Sequence, residues 1–347
     1  MSGNADTRTD GRWEAAADGR FAEVACDESG SDGENLVGGN TAVFAHASVA
    51  LPVDVAAECV AEIRRRIRSP AQEYKATHLL REKHRAVLEW LLAEGGPIHG
   101  RAHVHLTEKA FFVVDRVVGL LLEDAAQSRT LYRQGPRTFG AAEWQEFLQA
   151  ANRLLRVRPD GDPAAAGAPF FRAVDALGRA YPDTEAAGVL RRLAAGRSRA
   201  DAYRARVQRT PPLFPVLNPL FPAIRLTAAH WSAGGRTVTL VHDQQNALTP
   251  GRIARIVQSA RRDGIGLGGL RLVDSRDDAR VQIADFLAGI ARKIASDALG
   301  GSGDPVLTAL LRPYIGAESV WGDTANWASI GPPPENPGRA AEINSAV

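Results

Sequence analysis

Three short apolar segments of the chain each lead into an aspartate, and this pattern constrains the fold more than any other feature. The segments and their aspartates are 24–26 with Asp27, 238–242 with Asp243, and 270–273 with Asp274. Short apolar runs bounded by polar residues are typical of buried strands. In an open α/β sheet, functional groups gather at the carboxyl ends of the strands. We therefore expect these three carboxylates to lie at one edge of a sheet.

A fourth carboxylate, Asp285, follows in the last long helical pattern of the chain. Apolar residues at helical spacing, such as Ile283 and Phe286, predict the side of this helix that faces the core. Asp285 lies beside that apolar stripe, and Gly289 follows it one turn later. A glycine inside a helix costs about 1 kcal/mol relative to alanine. We therefore interpret Gly289 as a gap that leaves the carboxylate uncrowded.

Carboxylate oxygens are the ligands that Mg²⁺ and Mn²⁺ prefer, so the acidic residues predict a divalent metal site. Metal-dependent nucleases use two ions about 3.5–4 Å apart, which roughly four carboxylates on one face can hold. Each aspartate taken alone has a more common interpretation. An aspartate after a strand is usually a turn or cap residue, and Asp285 alone suits a partly exposed helix. Only the combination indicates a site.

Length and composition bound the remaining possibilities. The chain has 347 residues with 45% hydrophobic content, enough for one large domain with insertions or for two domains. Its formal net charge of +2 demands no particular partner. Two cysteines, Cys26 and Cys59, do not make a disulfide framework. No signal peptide or membrane span is recognisable, so we expect a cytoplasmic protein without a membrane partner.

The first third of the chain predicts strands followed by helices. Residues 1–20 have the composition of a disordered tail. Strands are then predicted at 21–26 and 41–51, forming an antiparallel hairpin. Two helices follow, one from Pro52 to before Pro70 and one at about 78–93. One or two strands are predicted within 98–118, the second passing into a helix at about 117.

The rest of the chain predicts a helical insertion and then a return to the sheet. Residues from about 126 to 210 have helical periodicity, and we interpret them as an insertion. The proline-rich stretch 211–222 predicts an extended connector. The last predicted elements are a strand at 236–242, a helix capped by Thr249 and ending near Arg262, a glycine-rich turn at 264–269, a strand at 270–273 and a helix at about 278–298. This order indicates an α/β fold with right-handed crossovers.

Histidines and arginines offer weaker signals. His103 and His105 would point to the same face of a strand, as a zinc pair does, but no third and fourth ligands follow at a suitable spacing. His242, next to Asp243, suits either a proton shuttle or a structural role. The arginines at 64–68 could meet phosphates, although a solvated surface is the more common interpretation in an arginine-rich chain.

Four motifs together resemble the domain-of-unknown-function 3800 family, which is similar to a branch of the RNase H-like superfamily. They are Cys-Asp27-Glu28-Ser29-Gly30, Glu73-x-Lys75, Val-His-Asp243-Gln-Gln, and Val-Asp274-Ser275 followed by Gln282-Ile-Ala-Asp285-Phe-Leu-Ala-Gly289. The resemblance covers about residues 21–298. It implies an RNase H-like domain over 21–300, with a mixed β-sheet flanked by helices and a divalent-metal acidic site. Residues 301–347 would then be a C-terminal extension and flexible tail.

The resemblance also implies a role for each matching residue. Asp27 would be the central metal-bridging carboxylate, with Glu73, Asp243 and Asp285 as the other catalytic metal ligands. The implied supporting residues are Glu28, Ser29, Lys75, Asp274 and Gln282. Lys75 would contact a phosphate or orient Glu73. The segment around Glu73 departs from the family pattern, because Ala76-Thr77 stands where a glycine and a small residue are usual.

Two functions of different classes follow. The first is a nuclease or phosphodiesterase that uses Mg²⁺ or Mn²⁺ and acts on nucleic acid, either RNA or DNA. The alternative is a nucleic-acid- or protein-binding module on the same fold, without turnover. The helical middle could in addition mediate homo-oligomer or partner contacts, although its periodicity suits plain packing equally well.

Overall fold

A single five-stranded sheet forms the centre of the molecule. The computed structural model describes residues 21–68, 75–124, 126–156 and 163–333, with the side chains of 163–166 excepted. The strands are β1 Phe21–Ser29, β2 Val43–Val49, β3 Ala102–Glu108, β4 Thr237–Asp243 and β5 Leu267–Val273. Their order in the sheet is β3-β2-β1-β4-β5. The strand that carries Asp27 therefore lies in the middle of the sheet.

Strand directions make the sheet mixed, as the sequence predicted. β1 pairs with β2 as the expected antiparallel hairpin and with β4 in parallel. β4 in turn pairs in parallel with β5. The carboxyl ends of β1, β4 and β5 consequently lie at the same edge. That edge receives the three strand-borne aspartates.

Helices cover both faces of the sheet and fill the long connections. Their bounds are α1 Val53–Ile67, α2 Ala76–Leu79, α3 Arg85–Leu92, α4 Lys109–Leu122, α5 Ala126–Phe139, α6 Ala141–Leu155, α7 Pro163–Ala180, α8 Glu185–Ala195, α9 Arg197–Arg209, α10 Leu220–Ser232, α11 Pro250–Arg262, α12 Ala279–Leu299, α13 Pro305–Leu311 and α14 Thr324–Ile330. Short 3₁₀ turns occupy Glu82–His84 and Arg312–Tyr314. Within the described residues, no helix is long and apolar enough to cross a membrane.

Each face of the sheet has its own hydrophobic core because successive strand residues point to opposite sides. On one side, Ala25 and Val241 pack with the apolar residues of α1, α3 and α12. On the other side, Val24, Cys26 and Leu240 pack with α10 and α11. The side chains of β1 are thus divided between two environments, and Asp27 lies on the α12 side with Ala25.

The helical middle predicted at about 126–210 consists of α5 to α9. These helices pack with α4 around a third hydrophobic cluster that includes Phe112, Phe147 and Phe170. Asn152 of α6 joins this cluster to the loop after β1. Its Oδ1 accepts hydrogen bonds from the backbone N–H groups of Leu36 (3.0 Å) and Val37 (3.2 Å).

Some predicted elements differ in the structure. The run 111–115 belongs to α4 and not to a second strand, because its apolar residues are buried on every side and therefore show no periodicity. Residues 220–232 form α10, which begins within the extended connector expected at 211–222 and continues where no element was predicted. The predicted helix at 78–93 is divided into α2, a 3₁₀ turn and α3, and β5 begins within the predicted turn, at Leu267. The predicted tail at 1–20 lies outside the described residues, as does 334–347 of the predicted C-terminal extension 301–347; the described part of that extension contains α13 and α14.

Candidate functional site

Asp27 is the most buried carboxylate at the acidic edge of the sheet. It lies near the end of β1 and is only 7% exposed. Its Oδ1 accepts a hydrogen bond from the backbone N–H of Glu28 at 2.7 Å. Burial raises the pKa of Asp27 well above its usual range, and the negative charges of Glu28, Asp285 and Asp243 raise it further. Asp27 therefore lies among carboxylates that make its own charge unfavourable.

Asp243 and Asp285 approach Asp27 from two different elements. Asp243 ends β4, and its Oδ1 accepts a hydrogen bond from the backbone N–H of Ser275 at 3.0 Å. Asp285 projects from α12, and its Oδ2 lies 3.7 Å from Nζ of Lys75. Three of the four predicted metal ligands thus lie close enough for their charges to interact. The fourth, Glu73, lies outside the described residues.

The donor chemistry of this cluster suits a hard divalent cation, although a complete metal centre is not formed. Backbone N–H groups orient one oxygen of Asp27 and one of Asp243, and within the described residues no hydrogen bond reaches the other oxygen of either group. Free carboxylate oxygens are what Mg²⁺ or Mn²⁺ binds. In the described parts of the chain, however, no three His, Cys, Asp or Glu side chains are placed to hold one metal ion together.

The predicted supporting residues lie in different places. Ser29 faces α12, where its hydroxyl accepts a hydrogen bond from Nε of Arg292 at 2.9 Å. Lys75 contacts Asp285, as described above. Gln282 is half-buried one turn before Asp285, and within the described chain its side chain makes no hydrogen bond. Asp274 is paired instead with Arg276 in the loop after β5, and hydrogen bonds from Arg276 lower its pKa to about 2.

The structure shows a role for Gly289 that differs from the one the sequence suggested. A Cβ at this position would overlap the Cβ of Ala76 in α2, and Ser29 Oγ would lie 3.9 Å away. The missing side chain therefore lets α2 pack closely on α12. Because Lys75 directly precedes α2, this close contact also holds Lys75 near Asp285.

Glu28 lies on the opposite face of the sheet from Asp27. Its Oε1 accepts a hydrogen bond from Gln245, while its Oε2 lies 3.5 Å from Nε2 of His242. Within the described residues, this buried Oε2 has no hydrogen-bond partner. Glu28 therefore affects Asp27 through its negative charge. The two carboxylates do not form one metal-binding position, because they lie on opposite faces of the sheet.

Beneath α10, a layer of five histidines surrounds this region of the sheet. We call it the histidine layer; its members are His46, His103, His105, His230 and His242. His46 Nε2 lies 3.3 Å from His242 Nε2, and the rings of His103 and His230 stack at 3.8 Å. Burial lowers the pKa of His46 well below its usual range and that of His105 to about 4. His46 and His105 are therefore neutral at neutral pH.

The sequence did not reveal this layer, because its members come from three strands and from a helix that was not predicted. His103 and His105, whose spacing resembles that of a zinc pair, both belong to it. His103 Nε2 lies 3.0 Å from Oε1 of Glu318, and the ring of His103 stacks on that of His230. In the described chain no third ligand joins His103 and His105 in a metal-binding group.

A separate groove of about 460 Å³ lies between α4, α10 and α11. Its lining is mainly apolar and includes Phe112, Phe214 and Phe221. It is remote from the aspartates and contributes no carboxylate to them.

Comparisons with protein-family models, with curated proteins and with solved structures found no match to the chain.

Proposed function

We propose that the protein is a divalent-metal-dependent nuclease, a phosphodiesterase acting on nucleic acid at the acidic edge of its sheet. One observation carries the proposal. Asp27, nearly buried in the central strand, is surrounded by the charges of Asp243 and Asp285 on the same side of the sheet. A protein does not gain stability by burying a carboxylate among others unless a proton or a cation neutralises it.

The chain would contribute oxygen ligands from Asp27, Asp243 and Asp285. When bound there, Mg²⁺ or Mn²⁺ supplies Lewis-acid catalysis of phosphodiester hydrolysis. The backbone N–H groups of Glu28 and Ser275 hold two of the carboxylates in fixed orientations. Lys75, beside Asp285, adds a positive charge that suits a phosphate. No nucleophile from the protein is required.

The resemblance to the domain-of-unknown-function 3800 family belongs to the same proposal. A mixed sheet with helices on both faces, and acids from β1, β4 and a late helix, is the arrangement that the resemblance implies. The strand order and the positions of Asp27, Asp243 and Asp285 support an RNase H-like assignment, which is part of what we propose.

The decisive experiment is a cleavage assay with labelled single-stranded and duplex RNA and DNA. Each substrate is incubated with Mn²⁺, Mg²⁺ or EDTA, using the wild-type protein, Asp27→Asn and the control Asp277→Asn. Asp277 is an exposed aspartate in the loop after β5. We expect cleavage that requires metal, is lost in Asp27→Asn and persists in Asp277→Asn. Full activity of Asp27→Asn would refute the proposal.

A second candidate is a nucleic-acid-binding module that has no turnover. The contact between Lys75 and Asp285 favours it, because a cationic group then neutralises part of the acidic cluster without metal. Binding of nucleic acid that is equal in EDTA and Mn²⁺, with no cleavage by any of the three proteins, would select this function.

A further inference from the structure

A second charged side chain lies on the same side of α12 as Asp285. Arg292 follows Asp285 by seven residues, which is two helical turns or about 10 Å along the helix axis. It is half-buried, and its Nε donates a hydrogen bond to the hydroxyl of Ser29 at 2.9 Å. Ser29 is two residues after Asp27 on the same side of β1. The guanidinium is therefore fixed next to the acidic cluster.

The loop after β1 packs closely against the side chain of Arg292 at Gly30. Gly30 has φ +85°, a conformation that favours glycine, and a Cβ there would lie 2.8 Å from Cδ of Arg292. A side chain at position 30 would displace the arginine. Ser29 and Gly30 thus hold and accommodate a single conformation of the Arg292 side chain.

Arg292 has no balancing carboxylate within the described parts of the chain. Among the described residues, no carboxylate forms a salt bridge with Arg292, although one helical neighbour, Lys293, is paired with Asp297 at 2.6 Å. The nearby Lys109 is itself positive and is paired with Asp32. Burial lowers the pKa of Lys109, Asp32 opposes that shift, and the charge of Arg292 lowers the pKa further. Arg292 and Lys109 thus bring two positive charges to this loop, and Asp32 pairs with Lys109.

We infer that Arg292 binds a backbone phosphate of a nucleic-acid strand whose neighbouring phosphodiester lies at the acidic cluster. A half-buried, oriented guanidinium without a carboxylate partner is suited to bidentate phosphate binding. Two anchoring points two helical turns apart require a ligand with several phosphates. The site therefore takes a polynucleotide and discriminates against a single nucleotide. The placement of the cleaved bond rests on the proposed function, whereas the phosphate contact does not.

Binding in EDTA tests the inference without turnover. Fluorescence anisotropy is measured with labelled single-stranded RNA and single-stranded DNA oligonucleotides across a series of salt concentrations, with a labelled mononucleotide as reference. The proteins are wild type, Arg292→Gln, Arg292→Lys and the control Lys293→Gln, which removes an equal charge from the same helix. The RNA and DNA arms identify which backbone is bound. Thermal unfolding shows whether each variant is folded.

We expect Arg292→Gln to weaken oligonucleotide binding by roughly tenfold to a hundredfold. The slope of log K against log salt should decrease by about 0.7, the value for one phosphate contact on a single strand. Lys293→Gln should change neither quantity. Arg292→Lys keeps the positive charge and loses the bidentate guanidinium, so its affinity should lie between those of the wild type and Arg292→Gln. If Arg292→Gln does not fold, the comparison of Arg292→Lys with wild type tests the inference.

Equal affinities and salt slopes for wild type and Arg292→Gln would overturn the inference, as would mononucleotide binding as tight as oligonucleotide binding. Failure of the nuclease proposal is recognised separately. Binding that depends on Arg292, without metal-dependent cleavage, would retain this contact and reject the nuclease. Metal-dependent cleavage that is unaffected by Arg292→Gln would retain the nuclease and reject this phosphate contact.

Discussion

A single side chain, Asp27, couples the stability of the protein to pH and, in the function proposed above, to metal binding. Its pKa is higher in the folded protein than in the unfolded chain, because burial and three neighbouring carboxylates disfavour its charge. Its contribution to the free energy of unfolding is therefore complete below its ordinary pKa of 3.8 and is lost as the pH rises through the raised value. At alkaline pH the folded protein must either keep the proton or bury the charge at a cost.

Asp27→Asn should therefore raise the stability of the metal-free protein. Asparagine has the shape of the protonated acid, keeps an oxygen for the N–H of Glu28 and carries no charge. In EDTA at pH 8 we expect a melting temperature higher than that of wild type by a few degrees, since about 1 kcal/mol corresponds to roughly 2–4 °C in a chain somewhat smaller than this one. The difference should shrink as the pH is lowered towards 4. Thermal unfolding followed by circular dichroism measures it.

Metal addition supplies the control for this prediction. Mn²⁺ should stabilise the wild type and the exposed-site variant Asp277→Asn, and should stabilise Asp27→Asn little or not at all. The stabilisation of wild type should grow with pH, because the proton on Asp27 must leave before its oxygen can act as a ligand. A metal effect of equal size in all three proteins would argue against binding at this cluster.

At the scale of elements, the contact between α2 and α12 positions Lys75. Alanine is intrinsically better than glycine inside a helix by about 1 kcal/mol. At Gly289 that gain is opposed by overlap with Ala76, which belongs to a helix of only four residues. Overpacking in a core typically costs about 1–3 kcal/mol. The close approach of the two helices therefore outweighs helix propensity.

Gly289→Ala is expected to lower the free energy of unfolding by roughly 1–2 kcal/mol. Gly119→Ala is the matched control, because Gly119 lies inside α4 with open space around it. That variant should be neutral or more stable by up to about 1 kcal/mol. Urea unfolding of both variants measures the two values. If Gly289→Ala were stabilised as much as Gly119→Ala, the α2–α12 contact would not be tight in solution.

The sequence predicted the elements whose patterns are local, such as caps and apolar periodicity. β4, α11 and α12 have strong local patterns, including the Thr249 cap that accepts a hydrogen bond from the N–H of Arg252, and they were predicted within a few residues. α10 was not predicted, since Pro219 and Pro222 suggested extended chain. Both prolines stand at the start of the helix, where no backbone N–H is needed.

The candidate site was predictable to a similar extent. The strand ends and the helical spacing indicated Asp27, Asp243 and Asp285 only in combination. The contacts around them were not predictable, because the N–H of Ser275 reaches Asp243 and Arg292 reaches Ser29 only when the chain folds. The histidine layer was missed for the same reason.

At the scale of the whole molecule, Asn152 connects the helical middle to the strand that carries Asp27. Asn152 is 4% exposed, and besides accepting the two backbone N–H groups its Nδ2 donates to the carbonyl oxygen of Glu34 at 2.9 Å. The loop from β1 to β2 is thereby fastened to a separate hydrophobic cluster. The helical middle supports the acidic edge of the sheet through this side chain.

Asn152→Ala should leave the buried N–H of Leu36 and the half-buried N–H of Val37 and carbonyl of Glu34 without this partner. Each unpaired buried group costs about 1–3 kcal/mol, so we expect a loss of at least roughly 2 kcal/mol in the free energy of unfolding. Gln149→Ala, at an exposed position of the same helix, is the control and should change stability by less than about 0.5 kcal/mol. Chemical denaturation of the two variants provides the comparison. Equal stabilities would contradict a supporting role for Asn152.

The division of β1 between two faces has a consequence for the tolerance of the chain to change. Successive residues of a strand point to opposite faces of the sheet. Asp27 therefore faces α12, and the next residue, Glu28, faces the histidine layer. Insertion or deletion of a single residue within β1 would exchange the two faces and turn Asp27 towards the histidine layer. Such a chain would keep nearly its whole composition and lose the acidic cluster. The parity of residue positions in one strand, more than the number of acidic residues, decides whether the site exists.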